Sequence, residues 1–242
     1  MARDVVLLHG FTHTGASWDP VVAALGERYR ALAPDIRGHG SAAAREPVTR
    51  EAVLDDLAAL APARFTLVGY SMGGRLALHA AAAPALSERI ERLVLIGASP
   101  GIADPAERNA RRAADDALAD QVEDSNIEEF AQRWAQTPML AGQPPELAAA
   151  IHADRLRSQS AGLARALRGL GTGALPSLWD RLSEVRAPVT LIVGERDAKF
   201  SGIASDVARA LADGKVVVVH GAGHAVHLEA PEKVALLIRR AA

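Results

Sequence analysis

Residues 67–83 read LVGYSMGGRLALHAAAA, an apolar, β-branched run that gives way to an alanine-rich helical pattern across one serine between glycines. A G-x-S-x-G pentapeptide between strand and helix is a nucleophile elbow, a turn so tight that the positions two before and two after the serine tolerate little beyond hydrogen. Gly69 and Gly73 meet that demand, and Gly74 with Ala77 and Ala80 lets the helix lie close on the sheet. The turn is predicted to lift Ser71 above the sheet edge at the amino end of the helix, where the helix dipole favours developing negative charge. A purely structural turn is the competing reading.

Working outward, short apolar runs recur at Val5–Leu8, Ala31–Ala33, Phe65–Val68, Leu93–Ile96, Val189–Val193 and Val216–Val219. They read as buried strands. Helical patterns follow at 18–28, 48–60, 72–83, 203–211 and 231–240, so strand and helix alternate as in a mostly parallel sheet of about six strands covered on both faces. From about 100 to 170 the strand signal vanishes, and amphipathic segments broken at Pro138, Pro144 and Pro145 take its place. This is read as a helical cap inserted into a single α/β domain spanning 1–242, lying over the carboxyl edge of the sheet, where open α/β folds bind ligands.

An elbow serine requires an imidazole to accept its proton and a carboxylate to hold that imidazole in the right tautomer. Both types appear in the expected order. Asp197 stands just past the fifth strand in LIVGERDAKF, with Glu195 as the competing acid. His224 stands in the loop after the sixth, in VVHGAGHAVHLEAPEKV, with His220 (read as half buried) and His227 (read as loop packing) as rivals. The backbone N–H of Phe11, in LLHGFTHTG, is placed to join that of Met72 as an oxyanion hole, with His9 bracing the loop. His39 is read as structural. His13, His79 and His152 have no partner identifiable in the sequence, and solvated or core roles are expected for them.

Composition bounds the partners. At 242 residues, 49% hydrophobic and 23% charged, the chain has ample material for one core, and a formal charge of −2 gives no bulk reason to expect nucleic acid or an anionic membrane. A small-molecule partner is expected, with a monomer or weak homo-oligomer as the assembly. There is no cysteine, which excludes thiolate chemistry and disulfides. No convergent metal-ligand set is apparent, so neither metal nor cofactor is expected. The opening MARDVVLLHG has too short an apolar run for a signal peptide, and the longest apolar run stops at Pro84, so a cytoplasmic location is expected.

With these residues in place, the chain resembles the α/β-hydrolase superfamily over essentially its whole length. It opens at the strand carrying HGF, without the front hairpin of larger members. More narrowly it is similar to the family of 2-succinyl-6-hydroxy-2,4-cyclohexadiene-1-carboxylate synthases, carbon–oxygen lyases of menaquinone biosynthesis. The stretches that carry the similarity are GYSMGGR, GERDAKF and GTGALPSLW, with LHGFTHTGASW, ASPGI followed by ERNARR, RLRSQSAGLARALRG and GAGHAVHLEAPEKV.

The resemblance implies a cofactor-independent elimination of pyruvate from a cyclohexene that bears three carboxylates. It also implies substrate contacts from Tyr70, Arg75, Arg111, Trp134 and Arg157, with Arg108 and Arg112 close enough to compete with Arg111. Arg75 lies one helical turn past Ser71 and shares its face, so a forked, charge-assisted grip on a carboxylate beside the elbow is expected, against a surface arginine paired with an acid. From 101 to 170 there are eight Arg and Lys against eleven Asp and Glu. Anion binding must therefore rest on the placement of a few arginines, not on the average field. Whether Ser71 acts as base or nucleophile stays open. So do an esterase or carbon–carbon bond hydrolase, and a non-catalytic ligand-binding protein, on the same fold.

Overall fold

The computed structural model describes residues 2–140 and 142–240. Six parallel strands, β1 (Arg3–Leu8), β2 (Tyr29–Leu32), β3 (Phe65–Tyr70), β4 (Ile90–Ile96), β5 (Val189–Gly194) and β6 (Gly214–Val219), form one sheet in the order β2-β1-β3-β4-β5-β6. Each expected run falls on a strand, although β2 ends at Leu32, before Ala33, and β1, β2, β4 and β6 begin earlier than their most apolar residues. Ladder hydrogen bonds need no apolar side chain, so strands extend into partly exposed positions such as Glu91 and Lys215.

Alternate side chains enter two core layers. Val6, Leu8, Leu67, Leu93, Leu95 and Leu191 face one, together with the helices Arg50–Leu60, Met72–Ala81 and Ala198–Ala210. Val5, Leu7, Val68, Val94, Ile96 and Ile192 face the other, against Asp19–Leu25 and Pro231–Arg240. Burial on both faces is what parallel strands require, and it explains their unbroken apolar runs. The chain leaves β1 toward β2 on one side and returns to β3 on the other. The order therefore reverses between β1 and β3, and the loops that follow them, carrying Phe11 and Ser71, flank the reversal crevice.

The connection between β4 and β5 holds the helices Pro105–Glu123, Ile127–Ala135, Ala148–Arg155 and Ser160–Leu170. Three of the four open on a side-chain cap or a Pro-led turn, with Asp104, Asn126 and Pro145 in those roles. They enclose a small core of Ala119, Val122, Phe130, Leu163, Ala164 and Leu167. The last of them also reaches the main core through Ala166 and Leu170. A Cβ on Gly162 would stand 2.5 Å from Gly38 O and one on Gly169 1.8 Å from Val48 O, so this helix lies directly against the backbone after β2. Among the described residues no helix is long and apolar enough to cross a membrane.

Candidate active site

Ser71 has φ 50° and ψ −108°, a left-handed conformation that a non-glycine residue adopts only under constraint. Its N–H donates to Ile96 O at 2.9 Å, and its carbonyl accepts the first turn of helix Met72–Ala81 from Arg75 N–H at 3.0 Å. The flanking glycines explain why the turn closes. A Cβ on Gly69 would stand 2.5 Å from Gly73 O, and one on Gly73 2.3 Å from Leu8 O at the end of β1. The elbow is thus pressed on both sides by backbone, which has nowhere to move.

Asp197 begins helix Ala198–Ala210 as its N-cap, accepting from Phe200 N–H at 3.3 Å with one carboxylate oxygen. The other, Oδ2, accepts from His224 Nδ1 at 2.6 Å, and both residues are buried. With Nδ1 as the donor, neutral His224 presents Nε2 as a proton acceptor, and that atom has no hydrogen-bond partner among the described residues. Glu195, the competing acid, instead accepts from His220 at 3.1 Å and from Gly221 N–H at 2.9 Å on the surface. His220 is exposed, not half buried as expected, because β6 is an edge strand and its end faces solvent. His227 packs in the core at 4.6 Å from Trp18 and 4.2 Å from Tyr70.

The loop after β1 supplies the other wall. His9 Nδ1 donates to Gly10 O and its Nε2 accepts from Ile36 N–H, each at 2.9 Å, so the buried ring ties this loop to the one after β2. Burial drives its pKa down to about 4 and keeps it neutral, as the accepting Nε2 requires. The N–H groups of Phe11 and Met72, at the ends of β1 and β3, donate to no backbone acceptor among the described residues. Both residues line the same cavity as Ser71.

Phe11, Ser71, Met72, Arg75, Arg111 and Trp134 line a cavity of about 130 Å³. It adjoins a wider one of about 590 Å³ that reaches Asp197 and His224, and Met139, Lys199 and Phe200 border both. Phe11 and Trp134 meet edge to face at 5.2 Å, so helix Ile127–Ala135 covers the loop after β1 directly. Arg75 Nε is enclosed without a hydrogen-bond partner, and no carboxylate pairs with this guanidinium among the described residues. Burial first, and the charge of Arg111 second, bring its pKa down to about 10, so it remains a cation at neutral pH. Arg111 extends to Asp115 Oδ1 at 2.7 Å at the half-exposed rim. Arg108 and Arg112 line neither cavity.

Two expected contacts lie elsewhere. Tyr70 points into the core layer opposite the cavity, stacked on His227 and, at 5.3 Å, on His224, because alternation along β3 sends it to that face. Arg157 is exposed and borders neither cavity. The inward stripe of the preceding helix, Ala148–Arg155, is Ile151, Asp154 and Arg155, at i, i+3 and i+4, and Arg157, two residues past its end, has turned outward. That periodicity was the available signal for Arg155, which is 2% exposed with Nε and Nη2 unpartnered among the described residues. Two histidines also have partners where none was expected: His152 meets Glu128 at 2.7 Å, and His13 meets Asp154 at 3.0 Å. These partners are 24 and 141 residues away, beyond the reach of local pattern.

A strand-turn-helix serine after β3 and a histidine–carboxylate pair from the loops after β5 and β6 are the arrangement of hydrolases built on such sheets. The chain belongs to the alpha/beta hydrolase family, whose model matches residues 5–235. It is 38% identical over 239 residues to a Bacillus subtilis protein assigned as 2-succinyl-6-hydroxy-2,4-cyclohexadiene-1-carboxylate synthase, covering 94% of this chain and 85% of that one. To the synthase of the same name from Salmonella paratyphi C it is 33% identical, covering 96% and 91%. The solved structure of MenH from S. aureus superposes with a TM-score of 0.92 at 30% identity, covering 99% of this chain and 92% of that one.

Proposed function

We propose that this enzyme is a carbon–oxygen lyase that eliminates pyruvate from 2-succinyl-5-enolpyruvyl-6-hydroxy-3-cyclohexene-1-carboxylate to give 2-succinyl-6-hydroxy-2,4-cyclohexadiene-1-carboxylate in menaquinone biosynthesis. The observation that carries the reading is Arg75, a cation beside Ser71 with an enclosed Nε that has no hydrogen-bond partner, and no carboxylate paired with it, among the described residues. A neutral ester gives such a group no task. A substrate carboxylate gives it one, and the similarity to synthases acting on this tricarboxylate supplies the candidate.

The chemistry follows from the parts. His224, oriented by Asp197, takes the Ser71 proton, and Ser71 as alkoxide removes the ring proton next to the succinyl ketone. The electron pair of the broken C–H bond delocalises onto the ketone oxygen, where the Phe11 and Met72 N–H groups stabilise the enolate. Collapse of the enolate through the ring double bond breaks the bond to the ether oxygen. Pyruvate leaves as its enolate and takes back a proton. Serine serves as a base and no acyl-enzyme forms. Arg75 and Arg111 hold carboxylates, and Trp134 covers the ring.

Incubating the purified protein with the enolpyruvyl cyclohexene and following pyruvate is the direct test. Release at an enzymatic rate, insensitive to EDTA, is expected. Absence of release together with hydrolysis of small neutral esters would overturn the lyase reading in favour of an esterase.

A further inference from the structure

Cap and core meet at a buried polar junction that the reaction above does not use. Asp154, in the last turn of helix Ala148–Arg155, is 8% exposed. Its carboxylate accepts from three donors of the loop after β1: His13 Nδ1 at 3.0 Å, Thr14 N–H at 3.1 Å, and the Thr14 hydroxyl. A carboxylate withdrawn from water this far is unfavourable unless its lone pairs are used. Burial alone would raise its pKa, yet the bonds from His13 and Thr14 hold it below the ordinary 3.8. The group is an anion fully engaged by one short loop.

What that loop contains is a constrained turn. His13 N–H donates to Gly10 O at 3.2 Å, which closes a four-residue turn with Phe11 and Thr12 at its centre. Thr12 has φ 69°, a left-handed conformation unfavourable for a β-branched side chain, and its hydroxyl is buried with no partner among the described residues. Thr12 therefore does not hold itself. The turn is held at its ends. Gly10 lies so close to the Tyr70 ring that a Cβ would stand 2.6 Å from it, and His13 and Thr14 are fixed by Asp154. The Phe11 N–H lies between these two fixed ends.

We propose that Asp154 is a positioning residue for the reaction: acting through His13 and Thr14, this cap carboxylate holds the turn that aims the Phe11 N–H at the developing oxyanion. Docking of the cap and assembly of the oxyanion cradle are then one event, with the anchor on the cap and the donor on the core. The inference rests on the reading that Phe11 N–H serves an oxyanion, and it adds the residue that keeps it there. A second cap contact, Gly40 N–H to Ser158 Oγ at 3.1 Å, does not involve Asp154 and is expected to survive its substitution.

The test uses Asp154→Asn in the full chain, which preserves shape and one acceptor oxygen but removes the second. The expected result is a fall in kcat for pyruvate release of about 10- to 100-fold, on the scale of a misaimed oxyanion donor, with KM within about threefold. Backbone amide exchange at residues 10–14 should rise at least about tenfold while that of helix Met72–Ala81 is unchanged. His13→Gln, which leaves the Thr14 bonds in place, should move both readouts the same way by less. Unchanged kcat, or exchange at 10–14 indistinguishable from wild type, would overturn the proposal. So would losses in kcat that simply track the fall in melting temperature across the variants, since that marks a simple staple. If the wild type releases no pyruvate, the lyase reading fails on its own, and the rate at which a fluorophosphonate labels Ser71, with exchange at 10–14, decides the role of Asp154. Slower labelling and faster exchange in the variant support it, and unchanged values overturn it.

Discussion

His224 Nδ1 lies 2.6 Å from Asp197 Oδ2, while Glu195, two residues from that aspartate, is spent on His220 at the surface. This division yields a sharp contrast. Asp197→Asn should lower kcat by about 10³- to 10⁴-fold, since an amide favours the wrong imidazole tautomer. Glu195→Gln should stay within about twofold of wild type. Ser71→Ala and His224→Ala should match the larger loss with circular dichroism unchanged. A large effect of Glu195→Gln would transfer the orienting role to it.

Arg75 gives a prediction in which stability and activity separate. A guanidinium held partly out of water, paired directly with no carboxylate among the described residues and reached by Asp115 only through its charge, contributes little to the folded state, so Arg75→Met should keep or raise the melting temperature. The same change should weaken kcat/KM for the tricarboxylate by roughly 2–4 kcal/mol, leave a small neutral ester nearly unaffected, and be only partly rescued by Lys. A melting temperature lowered by more than about 4 °C, which for a chain this size is roughly 1–2 kcal/mol, would make Arg75 a structural residue instead.

Two glycines should respond oppositely to alanine. At Gly73 the new methyl would stand 2.3 Å from Leu8 O and 2.5 Å from His9 O, both backbone atoms, so Gly73→Ala should cost more than about 3 kcal/mol or abolish folding. Gly202, within helix Ala198–Ala210, has nothing within 4 Å of its would-be Cβ, and Gly202→Ala should stabilise by about 0.5–1 kcal/mol. Urea denaturation of both variants checks the pair. A tolerated Gly73→Ala would mean the elbow is looser than described.

Acid should weaken the fold through buried imidazoles. Burial lowers His9 to about 4 and His39 to about 3, against 6.5 for a free side chain, and lowers His227 in the same direction. The unfolded chain therefore binds more protons than the native one below pH 6.5. Stability is complete above that value and declines as pH falls toward 3, with Asp154 adding a further loss below about 3.8. Denaturation midpoints from pH 7 to 4 should fall steadily. His39→Leu should flatten that slope whatever it does to the midpoint at pH 7, and an unaltered slope would remove His39 from the account.

Much of this was readable along the chain. The elbow glycines announce themselves because two backbones compress one turn, and the six strands because a sheet buried on both faces has no room for polar side chains. Asp197 and His224 were proposed from their order after β5 and β6, and it is the fold that pairs His224 with Asp197 and leaves Glu195 to His220. Tyr70 and Arg157 fall outside the two cavities for a different reason. A motif position records which residue is present and says little of the face it presents, and in both cases the alternation or helical stripe carried the missing direction. The junction of His13 with Asp154 leaves no local trace at all, since its partners meet only after the cap has folded back across 141 residues.

The cap is inserted between β4 and β5, so it is the one large segment that could be exchanged without cutting the sheet. Its single buried anion on the β1 loop makes such an exchange conditional. A foreign cap of suitable shape but without an acid at the place of Asp154 would bring a new binding surface and leave the turn around Thr12 held at only one end. Diversification of specificity in this lineage would then be a paired inheritance, with HGFTHT and the cap acid changing together, and chimeras that swap one without the other should bind ligands they are slow to convert.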